Sequence, residues 1–181
     1  MTAQQPARPL VVVMGVSGSG KTTVGAALSQ RLRVPFADAD DFHPAANIVK
    51  MASGHALDDR DRWPWLEKIG AWLHEHELDG GVMTCSALKR RYRDQLRHHA
   101  HRVEFVHLHG TREVIAARQA GRPGHFMPSS LLTSQFATLE ALAPDEHGLV
   151  LDVAQPVDVL VQQYVDAHRV LDASPSQKEN R

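Results

Sequence analysis

A chain of 181 residues, 43% of them hydrophobic, can bury a sizeable core as one domain, so neither a structural metal nor a disulfide is required for folding. With 20 Lys and Arg against 21 Asp and Glu the net charge is −1, which gives no global field to hold nucleic acid or an anionic membrane. The single cysteine, Cys85, excludes an internal disulfide framework and fits a reducing compartment. No apolar run reaches bilayer length and no secretory pattern opens the chain, so the expected location is cytoplasmic.

Residues 1–8 and 172–181 are polar and carry Pro or Ser, and are expected to be disordered tails around a domain of residues 9–171. Within that domain, strand-like and helix-like segments alternate, which predicts an α/β fold with a parallel sheet covered by helices on both faces. Leu10 to Met14 is a continuous apolar run suited to a strand buried on both faces. Gly15-Val16-Ser17-Gly18-Ser19-Gly20-Lys21-Thr22-Thr23 follows it at once and has the spacing of a Walker A phosphate loop. The glycines let backbone N–H groups curl toward phosphate oxygens, and Lys21 supplies a cation for the β- and γ-phosphates. The Thr22 hydroxyl can ligate Mg²⁺, and the helix that starts here turns its positive dipole end to the same anion. A dinucleotide loop would need glycine where Thr23 stands, so the expected ligand is a nucleoside triphosphate.

The next helix carries Val24, Ala27, Leu28 and Leu32 on one stripe, and a short strand from Phe36 to Asp38 follows. Helices are expected over about Pro44 to Ser53 and Asp59 to Glu77, the latter with Leu66, Ile69, Trp72 and Leu73 facing inward. Gly80-Gly81 leads into a third strand, Val82 to Cys85, ending in Ser86, and then a very basic helix from Leu88 to His99. Val103, Phe105 and Leu108 mark a fourth strand. Thr111 is the expected N-cap of a helix that ends near Gly121. Ser129 to Leu142 reads as helix, Gly148 to Val153 as the fifth strand and Val157 to Leu171 as the closing helix.

The chemistry beyond the phosphate loop is expected at the strand ends that meet it. The third strand ends in Thr84-Cys85-Ser86 and offers no carboxylate for a metal, so Asp38 and Asp40 are the candidates. Alternation along an extended segment would point both to the same side, where one could hold Mg²⁺ and the other accept a proton or hydrogen bond from an acceptor hydroxyl. Asp38 is assigned to the metal and Asp40 to the acceptor, an assignment the sequence leaves exchangeable. An acidic solvated turn is the plain alternative. On the basic helix, Lys89 and Arg93 are four apart and share a face, expected to turn inward, with Arg90 and Arg91 solvated. Arg118 and Arg122 share a stretch with two glycines, Gly121 and Gly124, in Arg118-Gln-Ala-Gly-Arg122-Pro-Gly124-His125, the composition of a lid that delivers guanidinium groups to a phosphoryl in transfer. The 12 histidines include the sets His98-His99-x-His101 and His107-x-His109, but no cysteine or carboxylate completes a metal geometry.

A longer set of motifs accompanies these: Asp38-Ala39-Asp40-Asp41-Phe42-His43-Pro44, Asn47, Lys50-Met51, Leu57-Asp58-Asp59, Asp61-Arg62, Pro64-Trp65-Leu66, Cys85-Ser86-Ala87-Leu88-Lys89, Tyr92-Arg93, Gly124-His125-Phe126 and Ser134-Gln135-Phe136. Together with Gly15 to Lys21 they resemble the small P-loop gluconokinases, relatives of the shikimate kinases, over about Val11 to Gln155. The resemblance implies a P-loop kinase fold with a five-stranded parallel sheet. It also implies Mg²⁺-dependent transfer from ATP to gluconate, giving 6-phosphogluconate and ADP, and association as a homodimer. By the same matching, His43, Lys50, Arg62, Ser86, His125 and Gln135 join Lys89 and Arg93 as substrate-binding candidates. Residues 140–147 depart from the shorter turn of that family, so the resemblance does not describe the loop before the fifth strand. A kinase of another small hydroxy acid, or a module that binds ATP and transfers nothing, are the alternative readings.

Overall fold

The structure, a computed structural model, describes residues 7–121 and 129–173. Five parallel strands form one sheet: β1 (Leu10–Met14), β2 (Phe36–Asp38), β3 (Gly81–Thr84), β4 (Glu104–His109) and β5 (Gly148–Asp152), in the spatial order β2-β3-β1-β4-β5. Seven helices are described: α1 (Lys21–Leu32), α2 (Ala45–Ala52), α3 (Asp59–Glu75), α4 (Arg90–His99), α5 (Arg112–Ala120), α6 (Ser129–Thr138) and α7 (Val157–Ala173). None of them is long and apolar enough to cross a membrane.

The side-chain period of a strand divides the core in two. Val11 and Val13 of β1 face a cluster with Val24 and Leu28 of α1, Ile115 of α5 and Leu160 and Tyr164 of α7. Leu10, Val12 and Met14 face the other side, against Trp65, Leu66, Ile69 and Leu73 of α3 and Leu96 of α4. Across the sheet, Val12 lies in register with Met83 and Phe105, which belong to the same side of the core. This is why β1 reads as unbroken apolar sequence: both of its faces are inside. Gly25 lets α1 close on the sheet, since a Cβ there would stand 2.8 Å from Thr84 Cγ2 and 3.0 Å from Phe36 Cε2.

Several boundaries differ from expectation for identifiable reasons. The first is Ala39–Phe42, expected to continue the extended path of β2. It is instead a 3₁₀ turn, because the Asp38 side chain accepts from the Asp40 N–H at 3.0 Å and folds the chain back. Helix α4 begins at Arg90 and not at Leu88, after Ala87 adopts a left-handed φ of 44°. Helix α6 stops at Thr138, freeing residues 139–147 to cross to α4, where Glu140 accepts from the Arg90 N–H at 2.7 Å. Lys89, the N-cap residue of α4, makes no side-chain cap, so a carboxylate 50 residues away supplies it. At the ends, Arg8 donates to the Arg33 carbonyl and α7 extends to Ala173.

Candidate active site

The C-terminal ends of β1, β2 and β3 and the start of α1 meet on one edge of the sheet. Between β1 and α1 the phosphate loop runs with φ of 80° at Gly18 and 94° at Gly20, backbone that favours glycine. A Cβ on Gly18 would also strike Gln119, at 2.5 Å from its Cγ. Two helices grip the loop through one residue. Gln119 at the end of α5 donates from Nε2 to the Ser17 carbonyl at 2.9 Å, and Gln135 of α6 accepts from the Ser17 N–H at 2.6 Å. Gln135, expected on the substrate, is therefore found on the nucleotide loop. Nothing in the local sequence around Gln119 announces a contact 102 residues away.

Lys21 folds back over the loop, donating from Nζ to the Val16 carbonyl at 3.1 Å. Burial pulls its ammonium below the ordinary lysine range, while Asp40, Cys85 and Asp38 work in the opposite direction. An under-compensated cation beside a cradle of N–H groups is suited to an arriving polyphosphate. Thr22 donates from Oγ1 to Asp38 Oδ2 at 3.1 Å, while Asp38 Oδ1 holds the Asp40 N–H. Both aspartates thus reach the field of Lys21, although not by strand alternation. Asp38 ends the strand and Asp40 sits inside the turn that Asp38 caps. Burial raises the Asp40 carboxyl, Asp38 raises it further, and His43 and Lys21 pull it down.

The face next to the aspartate turn is built on α3 and α4. Trp65 of α3 donates from its indole to the Ala39 carbonyl at 2.7 Å, tying the turn that carries Asp40 to the helix. His43 stacks on the same indole, with centroids 4.4 Å apart and planes 8° from parallel. Burial lowers the His43 imidazole, with Asp40 opposing and Arg62 adding to the effect. Arg62 and Lys89 lie over the Tyr92 ring at 5.5 and 5.6 Å, and Lys89 Nζ stands 3.5 Å from Asp59 Oδ1. Arg91 and the Tyr92 hydroxyl also hydrogen-bond Asp59. Ser86 meets the phosphate loop through its carbonyl, which accepts from the Gly15 N–H at 3.3 Å.

Some expected substrate groups are committed elsewhere. Arg93 does face inward, but into the core. Its side chain is 0% exposed, paired from Nε with Glu146 at 2.7 Å, and it donates from Nη1 to the Ala87 carbonyl at 2.9 Å and from Nη2 to Glu146 Oε2, also at 2.9 Å. It braces the strained Ala87 and the loop before β5, so it is corrected from a substrate ligand to a structural cation. Arg90, expected to be solvated, forks onto Asp145 at 2.8 and 2.6 Å. The basic face of α4 and the acidic Asp145-Glu146 pair are complementary in sequence, a signal that could have found this junction. Lys50 is drawn 2.5 Å from Asp61, inside the capping box that Asp58 and Asp61 form at the start of α3; that hydrogen bond raises the ammonium. Arg118 donates from Nη2 to the Val153 carbonyl and passes 3.8 Å from where a Gly20 Cβ would lie, which keeps it beside the phosphate loop. Arg122 and His125 lie outside the described residues. Cys85 is buried next to Lys21 with its thiol pushed up to about 12 by burial, which removes it as a nucleophile.

Among the described residues no group of three His, Cys, Asp or Glu side chains is arranged to hold a metal. The Thr22 hydroxyl and Asp38 carboxylate are nevertheless two hard oxygen donors 3.1 Å apart beside the phosphate loop. Such a set suits Mg²⁺, which takes most of its coordination sphere from water and phosphate.

Comparison with known proteins shows the family to which the chain belongs. The sequence model of the shikimate kinase family matches residues 17–143. A gluconokinase of Gluconobacter oxydans is 46% identical over 86% of this chain and 88% of its own length. The thermosensitive gluconokinase of Escherichia coli is 43% identical over 84% of this chain and 83% of its own. The crystal structure of a gluconokinase from Sinorhizobium meliloti superposes with a TM-score of 0.82 at 43% identity, covering 92% of this chain and 98% of that one. A shikimate kinase structure from Aquifex aeolicus, 16% identical with a TM-score of 0.54, shares the fold. The phosphate loop, the aspartate turn and the α3–α4 face thus stand in a chain that belongs to the gluconokinase family of P-loop kinases.

Proposed function

We propose that this protein transfers the γ-phosphoryl group of ATP to the 6-hydroxyl of D-gluconate, giving 6-phosphogluconate and ADP. The observation that carries the reading is the position of Asp40. Its backbone N–H is held by Asp38, which also accepts from Thr22 at the start of α1, and its turn is tied through the Ala39 carbonyl to Trp65 of α3, so the phosphate loop and the α3 face meet at this turn. The backbone of Gly15 to Thr23 cradles the triphosphate, and Lys21 follows the charge that spreads over the transferring group. Asp40, made more basic by burial and by Asp38, orients the acceptor hydroxyl and takes its proton as the new P–O bond forms. Arg62 and Lys89 supply cations for the carboxylate of the sugar acid, held at the Tyr92 ring until substrate recruits them. Arg118 stands close enough to the loop to add positive charge to the phosphates. Thr22 and Asp38 would hold Mg²⁺, which when bound neutralises phosphate charge and fixes the geometry of the chain's own donors.

A coupled ADP-release assay over a panel of sugar acids tests the reading. Gluconate is expected to drive Mg²⁺-dependent ADP formation, and shikimate to be a poor acceptor. Equal rates with both would remove the substrate assignment.

A further inference from the structure

Asn47, on α2, is a polar side chain only 4% exposed, and its amide meets two groups at once. Its Nδ2 donates to the Asp61 carbonyl at 2.9 Å and lies 3.4 Å from His43 Nδ1. An amide nitrogen carries only donors, so the second contact is a hydrogen bond only when Nδ1 carries no proton. Turning the amide over would set its oxygen against the Asp61 carbonyl, acceptor against acceptor, at a buried position. The Asp61 carbonyl thus fixes the amide independently of the histidine, and the amide in turn fixes the histidine. The ring cannot swing away, because it lies flat on Trp65 and Trp65 is anchored on Ala39. With Nδ1 unprotonated, the one ring proton sits on Nε2, on the far side of the imidazole from Asn47. Among the described residues no protein group accepts from Nε2. The charged groups that bear on the ring are Asp40 and Arg62, both on the acceptor side of the site.

We propose that Asn47 is a positioning residue that holds His43 as the neutral Nε2–H tautomer, so that His43 presents a fixed hydrogen-bond donor to a hydroxyl oxygen of the acceptor beside Asp40. The substrate half rests on the kinase reading above; the tautomer half does not. A donor of this kind distinguishes a hydroxyl-bearing acceptor from one that lacks the matching oxygen, since an unpaired imidazole N–H would then be buried by the substrate.

The experiment uses the full chain labelled with ¹⁵N-histidine, at about pH 8 where the ring is neutral. Long-range ¹H–¹⁵N correlation reads the protonation of each ring nitrogen, and His43→Gln identifies the resonances by their loss. The expected spectrum has an unprotonated Nδ1 and a protonated Nε2 for His43. In Asn47→Asp the carboxylate accepts from Nδ1–H, so the pattern should reverse or become that of imidazolium. Kinetically, Asn47→Asp should raise the KM for gluconate about tenfold and leave the KM for ATP in place, as expected for losing one acceptor-side hydrogen bond. His43→Gln, whose amide nitrogen reproduces an Nε2 donor, should retain more affinity for gluconate than His43→Asn, whose nitrogen falls where Nδ1 was. A proton on Nδ1 in the wild-type protein overturns the proposal, as does equal impairment in His43→Gln and His43→Asn. If Asn47→Asp does not fold, the wild-type spectrum and the two His43 variants decide. The expected tautomer with no turnover on any hydroxy acid would instead overturn the substrate assignment and leave the Asn47–His43 pairing standing.

Discussion

The two opposite charges of the site, Lys21 and Asp40, can each be removed by one substitution. Lys21→Ala takes one donor from the developing anion, so the variant should fold normally and lose turnover equivalent to about 3–4 kcal/mol of transition-state stabilisation. Near-normal turnover in this variant would refute the role given to the phosphate loop. Asp40→Asn keeps size and hydrogen bonding but not the negative charge, and should lower phosphorylation of gluconate by roughly 10²–10⁴-fold while ATP affinity changes little. Calorimetric titration with ATP and turnover measured on the same protein separate the outcomes. Joint loss of both would exchange the roles of Asp40 and Asp38. Away from the site, His107 on β4 is buried and its imidazole is lowered to about 4, first by burial and then by His109 and Arg93. An imidazole lowered in the folded state binds its proton more readily when unfolded, so stability falls as pH drops from about 6.5 to about 4. His107→Gln should flatten a plot of denaturation midpoint against pH over that window; an unchanged slope would assign it to other groups.

At the scale of elements, α4 and the segment 139–147 behave as one unit. Glu140 caps the helix, Asp145 takes Arg90, and Glu146 receives Arg93 and Arg97, both at 2.7 Å. Burial alone would raise the Glu146 carboxyl; hydrogen bonds from Arg93, the Ala143 N–H and Arg97 outweigh it and hold it at about 2. Its contribution is therefore complete above about pH 4.5 and lost as pH falls toward 2, a window that meets that of His107 only at its upper end. Glu146→Gln strands a buried guanidinium and should cost about 3–5 kcal/mol, whereas Arg93→Met with Glu146→Leu should cost much less. Equilibrium unfolding of the single and double variants measures the coupling, and additive losses would contradict it. The sequence announced the basic helix but not its partner. Positive charge at helical spacing says which side chains share a face; what lies opposite could be read only from the complementary charge of Asp145-Glu146, far along the chain. The aspartate turn failed for the opposite reason: alternation was a sound rule applied two residues beyond the strand, where the Asp38 side chain competes with the extended backbone.

For the molecule as a whole, the fold was legible because each strand and helix carries its own period. The apolar run of β1 reports burial on both faces without knowledge of its neighbours. The phosphate loop was legible because its chemistry is contiguous, from Gly15 to Thr23. The rest of the site is assembled from residues far apart: Ser17 meets Gln135 at a separation of 118 residues, and Trp65 meets Ala39 at 26. Such contacts exist only once the sheet order β2-β3-β1-β4-β5 has brought the strand ends together. The Arg93–Glu146 pair also constrains how the sequence can drift. Replacing Glu146 alone leaves the Arg93 guanidinium in the core without its carboxylate, and replacing Arg93 alone leaves Glu146 with Arg97 only, so a lineage that loses the pair one step at a time passes through a weakened intermediate. The two positions are therefore expected to be kept together or replaced together across related chains, and a relative that keeps only one member of the pair should pair it with a new group inserted in the same loop.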